Sequence, residues 1–153
     1  MTLTDHPSHF LLVEDDQAQA ELVVLSMEDN GVTNTISHVS DGAAAMAYLR
    51  QEGEFEQSIR PDIIPLDLNL PKLSGQEVLE QIKTDPELRE IPVVILTTSA
   101  SEMDRAKAYA HHANSFLTKP VDFAKFQQMC RDLKVYWTHW NRPPVGRRRI
   151  SST

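Results

Sequence analysis

Several features are scarce or missing in this 153-residue sequence, and each absence narrows what the protein can be. Its one cysteine, Cys130, excludes an internal disulfide and a metal site built from several cysteines, and it favours the cytoplasm as the compartment. No apolar run approaches the roughly 20 residues that a membrane-spanning helix needs. The N-terminus has neither the basic nor the apolar part of a signal peptide. We therefore expect no membrane contact and no export.

Positive charge is scarce over most of the chain. Residues 1–140 contain all 22 acidic residues but only 11 of the 15 basic ones, a net charge of −11, whereas residues 141–153 carry +4. An acidic body argues against nucleic-acid binding, which needs a basic surface. We expect residues 1–8 to be disordered and residues 141–153 to form a flexible basic tail.

Short apolar runs alternate with helical patterns along the chain. The runs predict strands at 10–13, 35–39, 63–66, 92–96 and 115–117. Helical spacing predicts a first helix that ends at Asn30-Gly31 and another at 102–111. Ser40-Asp41-Gly42 opens a helix at 43–51, the capping box of Ser74 and Glu77 opens one at 75–84, and Asp122 caps a long last helix. Strands joined by crossover helices must run parallel. The sequence thus predicts an α/β fold with a doubly wound, five-stranded parallel sheet and helices on both faces.

Polar side chains stand where the predicted strands end. Glu14 and Asp15 follow the first strand, Asp67 the third, Thr97 the fourth and Lys119 the fifth. Ligands of such sheets bind beyond the carboxyl ends of the strands. Crowded carboxylates repel one another and suit a hard divalent cation such as Mg²⁺, while a lysine and a hydroxyl suit an incoming phosphoryl group.

Pro65 departs from this pattern, since it stands two residues before Asp67 in a predicted central strand. Proline has no N–H and removes a hydrogen bond from a sheet. The geometry of the third strand, and hence the placement of Asp67, is therefore open.

The chain resembles the receiver domain of two-component response regulators, the CheY-like family. The resemblance covers about residues 9–138 and predicts a receiver domain at 9–140. The motifs that carry it are Leu11-Leu12-Val13-Glu14-Asp15-Asp16, Leu66-Asp67-Leu68-Asn69-Leu70-Pro71, Gly75, Thr97 and Lys119-Pro120. The segment from Asp67 to Lys72, the Leu96-Thr97-Thr98-Ser99 segment and Tyr136-Trp137 are also similar to stand-alone regulators paired with bacterial and cyanobacterial phytochromes, which implies a histidine kinase, a phytochrome, as the partner.

The resemblance also implies a role for each matching residue. Asp67 is the expected phosphoryl acceptor, and Lys119 pairs with the phosphoryl group, while Thr97 and Phe116 form the switch that responds to it. The expected Mg²⁺ ligands are Glu14, which acts through a bound water, Asp15, Asp67 and the backbone carbonyl of Asn69. The Lys119-Pro120 peptide bond is expected to be cis, with Pro120 as the cis-proline. Asn69 and Ser99 flank the expected approach of an attacking water, and we expect them to tune how long the phosphoryl group survives.

The last predicted helix carries more apolar side chains than one sheet face needs. Met129, Tyr136, Trp137 and Trp140 predict a homodimer or partner surface, with a helix end that folds onto its own domain as the alternative. Cys130 fits a core or an interface position.

These observations predict a single-domain response regulator, not an enzyme, that signals by contact with other proteins or whose Asp67 serves as a relay or phosphate sink. The 13 residues after Trp140 are too few for a DNA-binding domain. One alternative is a phosphatase of the haloacid dehalogenase type, whose second motif acid is replaced here by Asn69, an amide that cannot transfer protons. Another is a docking module of receiver fold that is never phosphorylated.

Overall fold

A computed structural model describes residues 8–27 and 34–142 of the chain. The strands are β1 His9–Val13, β2 Thr35–Val39, β3 Ile64–Leu66, β4 Val93–Thr97 and β5 Ser115–Thr118. The helices are α1 Gln17–Met27, α2 Gly42–Leu49, α3 Gly75–Thr84, α4 Glu102–Ala110 and α5 Phe123–Val135, with a 3₁₀ turn at Gly53–Phe55 and a π-helical turn at Tyr136–Trp140. The predicted helix end at Asn30-Gly31 and most of both predicted terminal segments lie outside the described residues.

All five strands form one sheet in the order β2-β1-β3-β4-β5, and each pairing is parallel. Alternate residues of β1 face opposite sides of this sheet, as the two-residue period of a strand requires. Phe10 and Leu12 pack into a buried cluster with α1 and α5, whereas Leu11 and Val13 pack into a second cluster with α2 and α3. The predicted doubly wound parallel α/β fold is confirmed.

Three helices begin at capping residues that the sequence pattern identified. Asp41, Ser74 and Asp122 each accept a hydrogen bond from the backbone N–H three residues further along the chain. Such caps satisfy N–H groups that have no partner inside the helix. The predicted capping box of Ser74 and Glu77 at the start of α3 is confirmed.

Pro65 lies inside β3 without displacing the strand. The Leu11 N–H donates to Ile63 O (3.1 Å), and the Asp67 N–H donates to Val13 O (3.0 Å). The backbone N–H and C=O groups of odd-numbered residues along β3 therefore point towards β1. Pro65 therefore lacks a donor on the β1 side, opposite the carbonyl of Leu11. β3 is fully buried and pairs in register with β1, and Asp67 keeps its place in the ladder.

The last helix ends differently from the predicted long α-helix. The π-helical turn after α5, in which the Asn141 N–H donates to Tyr136 O (2.7 Å), changes which side chains face the core. Trp137 is only 4 % exposed, and its indole N–H donates to Ser8 Oγ (3.1 Å), whereas Tyr136 and Trp140 are 56 % and 76 % exposed. The assignment of Trp137 to a partner surface was therefore wrong, because its ring covers the sheet and its N–H finds a partner inside the chain.

The Lys119-Pro120 peptide bond is trans, as are the other peptide bonds of the described residues, so the predicted cis-proline at Pro120 was wrong. The trans form is favoured by roughly 0.5–1 kcal/mol before proline. With this bond trans, the Lys119 N–H still donates to Thr97 O (2.7 Å) and extends the pairing of β5 with β4.

No helix in residues 8–27 and 34–142 has the length and apolar character needed to cross a membrane.

Candidate functional site

The sheet itself places the three principal side chains of the site. Glu14, Asp67 and Lys119 are each the first residue after a strand, namely β1, β3 and β5. Each is fixed by a backbone hydrogen bond to a neighbouring strand, since the N–H groups of Glu14 and Asp67 donate to Val39 O (3.1 Å) and Val13 O (3.0 Å). Because the strands are parallel, all three side chains emerge at the same edge of the sheet.

Three carboxylates meet at this edge. Glu14, Asp15 and Asp67 each offer an oxygen atom, and these atoms lie within 4.8 Å of one another. Glu14 and Asp67 are buried, while Asp15 is exposed and gives the cluster an open side. Carboxylate oxygens gathered at such distances, with one side left for water, fit the ligand preference of a hard divalent cation. The backbone carbonyl of Asn69 stays a predicted ligand, and the Asn69 N–H donates to Asp67 Oδ1 (3.1 Å).

Lys119 closes the site from the β5 side. Its side chain is only 2 % exposed, and its Nζ donates to Glu14 Oε1, to Asp67 Oδ2 (3.1 Å) and to Gln19 Oε1 (2.6 Å). Charge-assisted hydrogen bonds of this kind are stronger than neutral ones. The buried ammonium therefore lies where it can neutralise negative charge that arrives at Asp67.

Burial dominates the electrostatics of Glu14. Its removal from water raises the pKa of Glu14 to about 7, an effect that the Lys119 ammonium opposes and the nearby Asp67 carboxylate reinforces. The site thus concentrates negative charge that a single lysine does not balance. This imbalance is a second reason, besides the ligand distances, why the residues fit a bound cation.

The predicted switch residues lie beside this cluster. Thr97 is fully buried at the end of β4, and its Oγ1 accepts a hydrogen bond from the Ser99 N–H (3.3 Å). Phe116 is half-buried on β5 and packs against the cluster that contains α2 and α3. The Ser99 hydroxyl donates to Asp104 Oδ2 (2.6 Å) on α4, so it links the end of β4 to the next helix. The roles of Thr97, Phe116 and Ser99 stay predictions.

The loop after Asp67 is held by a close backbone approach. The Gly75 N–H donates to Leu68 O (2.9 Å), and a Cβ atom at residue 75 would overlap Asp67 O and Leu68 Cα. Only glycine allows this approach. The glycine that forms part of the sequence motif therefore has a structural task, which is to let α3 start directly against the loop that carries Asp67.

Two contacts of the site were missed by the sequence interpretation. Gln19 bonds to Lys119 as described above, and the His38 ring, through Nε2, bonds to the backbone carbonyl of Glu14 (2.7 Å). For Gln19 the available signal was ambiguous, because Asp16 and Gln19 have the spacing of an ordinary capping box. For His38 the signal was its place near the end of β2, paired with Leu12 of β1.

This fold and this site agree with the family comparison. The model of the response regulator receiver domain matches residues 10–131. The chain belongs to the response regulator receiver family, which is a family of signalling proteins.

Individual relatives agree with this assignment. The chain is 45 % identical over 140 residues to the probable methanogenesis regulatory protein FilR2 of Methanothrix harundinacea, covering 92 % of this chain and 90 % of that protein. It is 44 % identical over 131 residues to the response regulator Rcp1 of Synechocystis sp., covering 86 % and 89 %. Both names describe regulators.

Solved structures show the same similarity in three dimensions. The phosphorylated cyanobacterial phytochrome response regulator RcpA superposes with a TM-score of 0.88 at 41 % identity, covering 91 % of this chain and 99 % of that one. The Mn²⁺-bound form of Rcp1 superposes with a TM-score of 0.87 at 42 % identity, covering 91 % and 100 %. The resemblance to phytochrome response regulators is thus confirmed.

Proposed function

We propose that this chain is a single-domain response regulator that accepts a phosphoryl group on Asp67 from a phosphohistidine of a histidine kinase. One observation carries the proposal: the Asp67 carboxylate lies both in the three-carboxylate cluster and 3.1 Å from the buried Lys119 ammonium. Asp67 is thus a nucleophile with a cation-binding cluster on one side and a lysine ammonium on the other. Phosphoryl transfer depends mainly on such positioning and charge neutralisation.

The transfer replaces one bond to phosphorus with another. A carboxylate oxygen of Asp67 bonds to phosphorus as the bond to the donor histidine nitrogen breaks, and the bonding electron pair stays with the imidazole. Lys119 neutralises part of the phosphoryl charge, and its burial makes this interaction stronger than it would be in water. Mg²⁺ held by Asp15, Asp67 and the Asn69 carbonyl, and by Glu14 through a bound water, would supply the remaining positive charge.

The output follows from a local change of charge at Asp67. The Thr97 hydroxyl moves towards the phosphoryl group, and Phe116 follows it inward, so the surface formed by α4, β5 and α5 changes its preference between protein partners. The signal leaves the molecule through protein contacts. The 41–44 % identity to Rcp1 and RcpA supports a phytochrome as the donor kinase.

A homodimer is the second part of the proposal. Tyr136 and Trp140 are exposed on the π-helical turn, and Met129 and Tyr136 line a cleft of about 600 Å³ next to it. Large apolar side chains grouped on one surface are typical of protein interfaces. Met129, Tyr136 and Trp140 therefore form the proposed dimer surface.

The direct test is the intact mass of the protein after incubation with acetyl phosphate and Mg²⁺. We expect a single phosphoryl adduct that is absent in Asp67→Ala and absent when a chelator removes the cation. As a control, Asp62→Ala changes an aspartate two residues before β3 begins, away from the carboxyl ends of the strands, and should keep the adduct. An unmodified mass for the unaltered protein, with both acetyl phosphate and a phosphorylated histidine kinase, would instead favour a docking module that is never phosphorylated.

A further inference from the structure

Lys119 has a third partner that belongs to none of the predicted roles. We propose that Gln19 is a positioning residue that holds the Lys119 ammonium in place while Asp67 accepts the phosphoryl group. This inference rests on the proposed function. It adds a residue of α1 to a site that otherwise comes from the ends of strands.

The three protons of the ammonium have three acceptors in the protein. Nζ lies 2.6 Å from Gln19 Oε1 and 3.1 Å from Asp67 Oδ2, and its third hydrogen bond goes to Glu14 Oε1. Because the Lys119 side chain is 2 % exposed, water has little access to it. Loss of one protein acceptor therefore leaves a buried, charged donor unsatisfied.

The start of α1 determines where the Gln19 amide points. The Gln19 N–H donates to Asp16 Oδ1 (3.0 Å), as in the first half of a capping box. The second half would be a bond from the Asp16 N–H to the side chain of Gln19. Instead the Asp16 N–H donates to Glu14 Oε2 (3.2 Å), which leaves Gln19 Oε1 for Lys119.

Gln19 differs in chemistry from the other two acceptors. Glu14 and Asp67 belong to the carboxylate cluster, so their oxygen atoms are shared with a bound cation and with the incoming phosphoryl group. The amide of Gln19 is neutral and takes no part in either. It is therefore the fixed acceptor of the three, and it adds no negative charge to a site that must receive a phosphoryl anion.

The test compares three variants with the unaltered protein. Gln19→Met keeps the length of the side chain without an oxygen acceptor, and Gln19→Glu restores an oxygen acceptor but adds charge. Gln17→Met, on the exposed first turn of the same helix, is the matched control. The rate of adduct formation is measured by intact mass over a series of acetyl phosphate concentrations at saturating Mg²⁺, beside the Mg²⁺ affinity and the thermal midpoint.

We expect Gln19→Met to lower the rate at saturating donor by roughly tenfold, the size of effect that follows from losing a hydrogen bond to a charged group. For Gln19→Met the Mg²⁺ affinity should stay within about twofold, because Gln19 is not one of the carboxylates of the cluster and the substitution adds no charge. Gln19→Glu should fall between the unaltered protein and Gln19→Met, and Gln17→Met should match the unaltered protein.

The outcomes separate this inference from the function on which it rests. If the unaltered protein forms no adduct, the proposed function fails and the role of Gln19 fails with it. If the unaltered protein and Gln19→Met form the adduct at equal rates, the role of Gln19 alone is overturned.

Discussion

Gly75 is a residue at which one added carbon atom should disturb the site without touching its charges. In Gly75→Ala the new Cβ would overlap Asp67 O and Leu68 Cα, which are backbone atoms that move only with the whole loop. We expect the free energy of unfolding to fall by about 1–3 kcal/mol. We also expect slower phosphoryl acceptance, because Asp67 shifts relative to Lys119. Urea unfolding and the time course of the intact mass with acetyl phosphate measure the two effects.

Gly53→Ala separates the loop displacement from the general effect of replacing a glycine. Gly53 has a φ of +59°, and a Cβ atom there would meet no atom within 4 Å. This substitution should therefore lower stability by about 1 kcal/mol through backbone strain and leave phosphoryl acceptance unchanged. Equal loss of acceptance in both variants would show that the Gly75 contact does not position Asp67.

The buried Cys130 thiol should make the free energy of unfolding depend on pH in the alkaline range. Burial raises the pKa of this thiol to about 11, compared with about 9 in the unfolded chain. Between these two values the folded state keeps its proton and the unfolded state loses it, so stability falls as the pH rises through the window. The loss should reach roughly 2–3 kcal/mol near pH 11. Urea unfolding at pH 8 and pH 10.5 measures it, and Cys130→Ala should lack this part of the pH dependence.

Alkylation gives an independent check of the same shift. At pH 8.5 the folded protein should react with iodoacetamide far more slowly than the protein in concentrated urea, because the thiolate is the reactive form. Equal rates would contradict the burial of the thiol.

Single residues of the site were predictable to the extent that the strands determine them. Glu14, Asp67 and Lys119 directly follow strands, and parallel strands bring their carboxyl ends to one edge. Gln19 was not predictable, since its side chain fits a capping box as well as it fits a bond to Lys119, and only the position of β5 decides between the two. The peptide bond before Pro120 is trans, although the resemblance to the family implied a cis bond. The intrinsic preference of an X–Pro bond for trans is too small to predict the isomer from the sequence.

At the scale of elements, β3 contains a missing hydrogen bond that a substitution can restore. Pro65→Val supplies an N–H opposite the Leu11 carbonyl, where alternation along β3 places it. Pairing a buried carbonyl is worth about 1–3 kcal/mol, and losing the stiffness that proline gives the unfolded chain costs about 0.4–1 kcal/mol. We expect a net gain of about 1 kcal/mol, seen as a higher urea midpoint at an unchanged slope.

Pro86→Val provides the comparison for this gain. Pro86 is exposed in the turn after α3, so the substitution gives up the same stiffness without restoring a ladder bond. Its midpoint should stay constant or fall. A fall in both variants would mean that the Leu11 carbonyl gains nothing from the new donor.

Some helices and strands were easier to predict from the sequence than others. Strand positions followed from short apolar runs, and the starts of α2, α3 and α5 followed from their caps, because both signals are local. The end of the last helix did not follow, because a π-helical turn changes the angle between successive residues without a local signal. Periodicity counted through Tyr136 therefore placed Trp137 and Trp140 on one surface, whereas the structure places them in different environments.

At the scale of the whole molecule, the two tryptophans of the C-terminal turn have different tasks. Trp137 packs into the cluster formed by α1, α5 and the sheet, and its indole bonds to Ser8 just before β1. It therefore joins the two ends of the described chain. Trp140 is 76 % exposed and contributes little to this packing. Stability and self-association should accordingly respond to different residues.

Trp140→Ala tests the proposed dimer surface. Large aromatic side chains near the centre of an interface commonly contribute 2 kcal/mol or more to binding. We therefore expect the dissociation constant of the homodimer, measured by sedimentation velocity over a concentration series, to rise by about tenfold or more. The free energy of unfolding of the monomer should change by less than about 0.5 kcal/mol, as for other exposed positions. Trp137→Phe should show the reverse, with a lower free energy of unfolding and an unchanged dissociation constant of the homodimer.

Leu25→Ala distinguishes a specific surface from general stickiness. Leu25 is 67 % exposed on α1, comparable with Trp140, but it lies on a helix outside the proposed dimer surface. If exposed apolar area alone drove association, both substitutions would weaken it, and the surface of Met129, Tyr136 and Trp140 would have no special part. If only Trp140→Ala weakens it, then the π-helical turn does two things at once, turning one tryptophan into the core and leaving the other for the partner. A protein that sediments as a monomer at every concentration would contradict the homodimer itself.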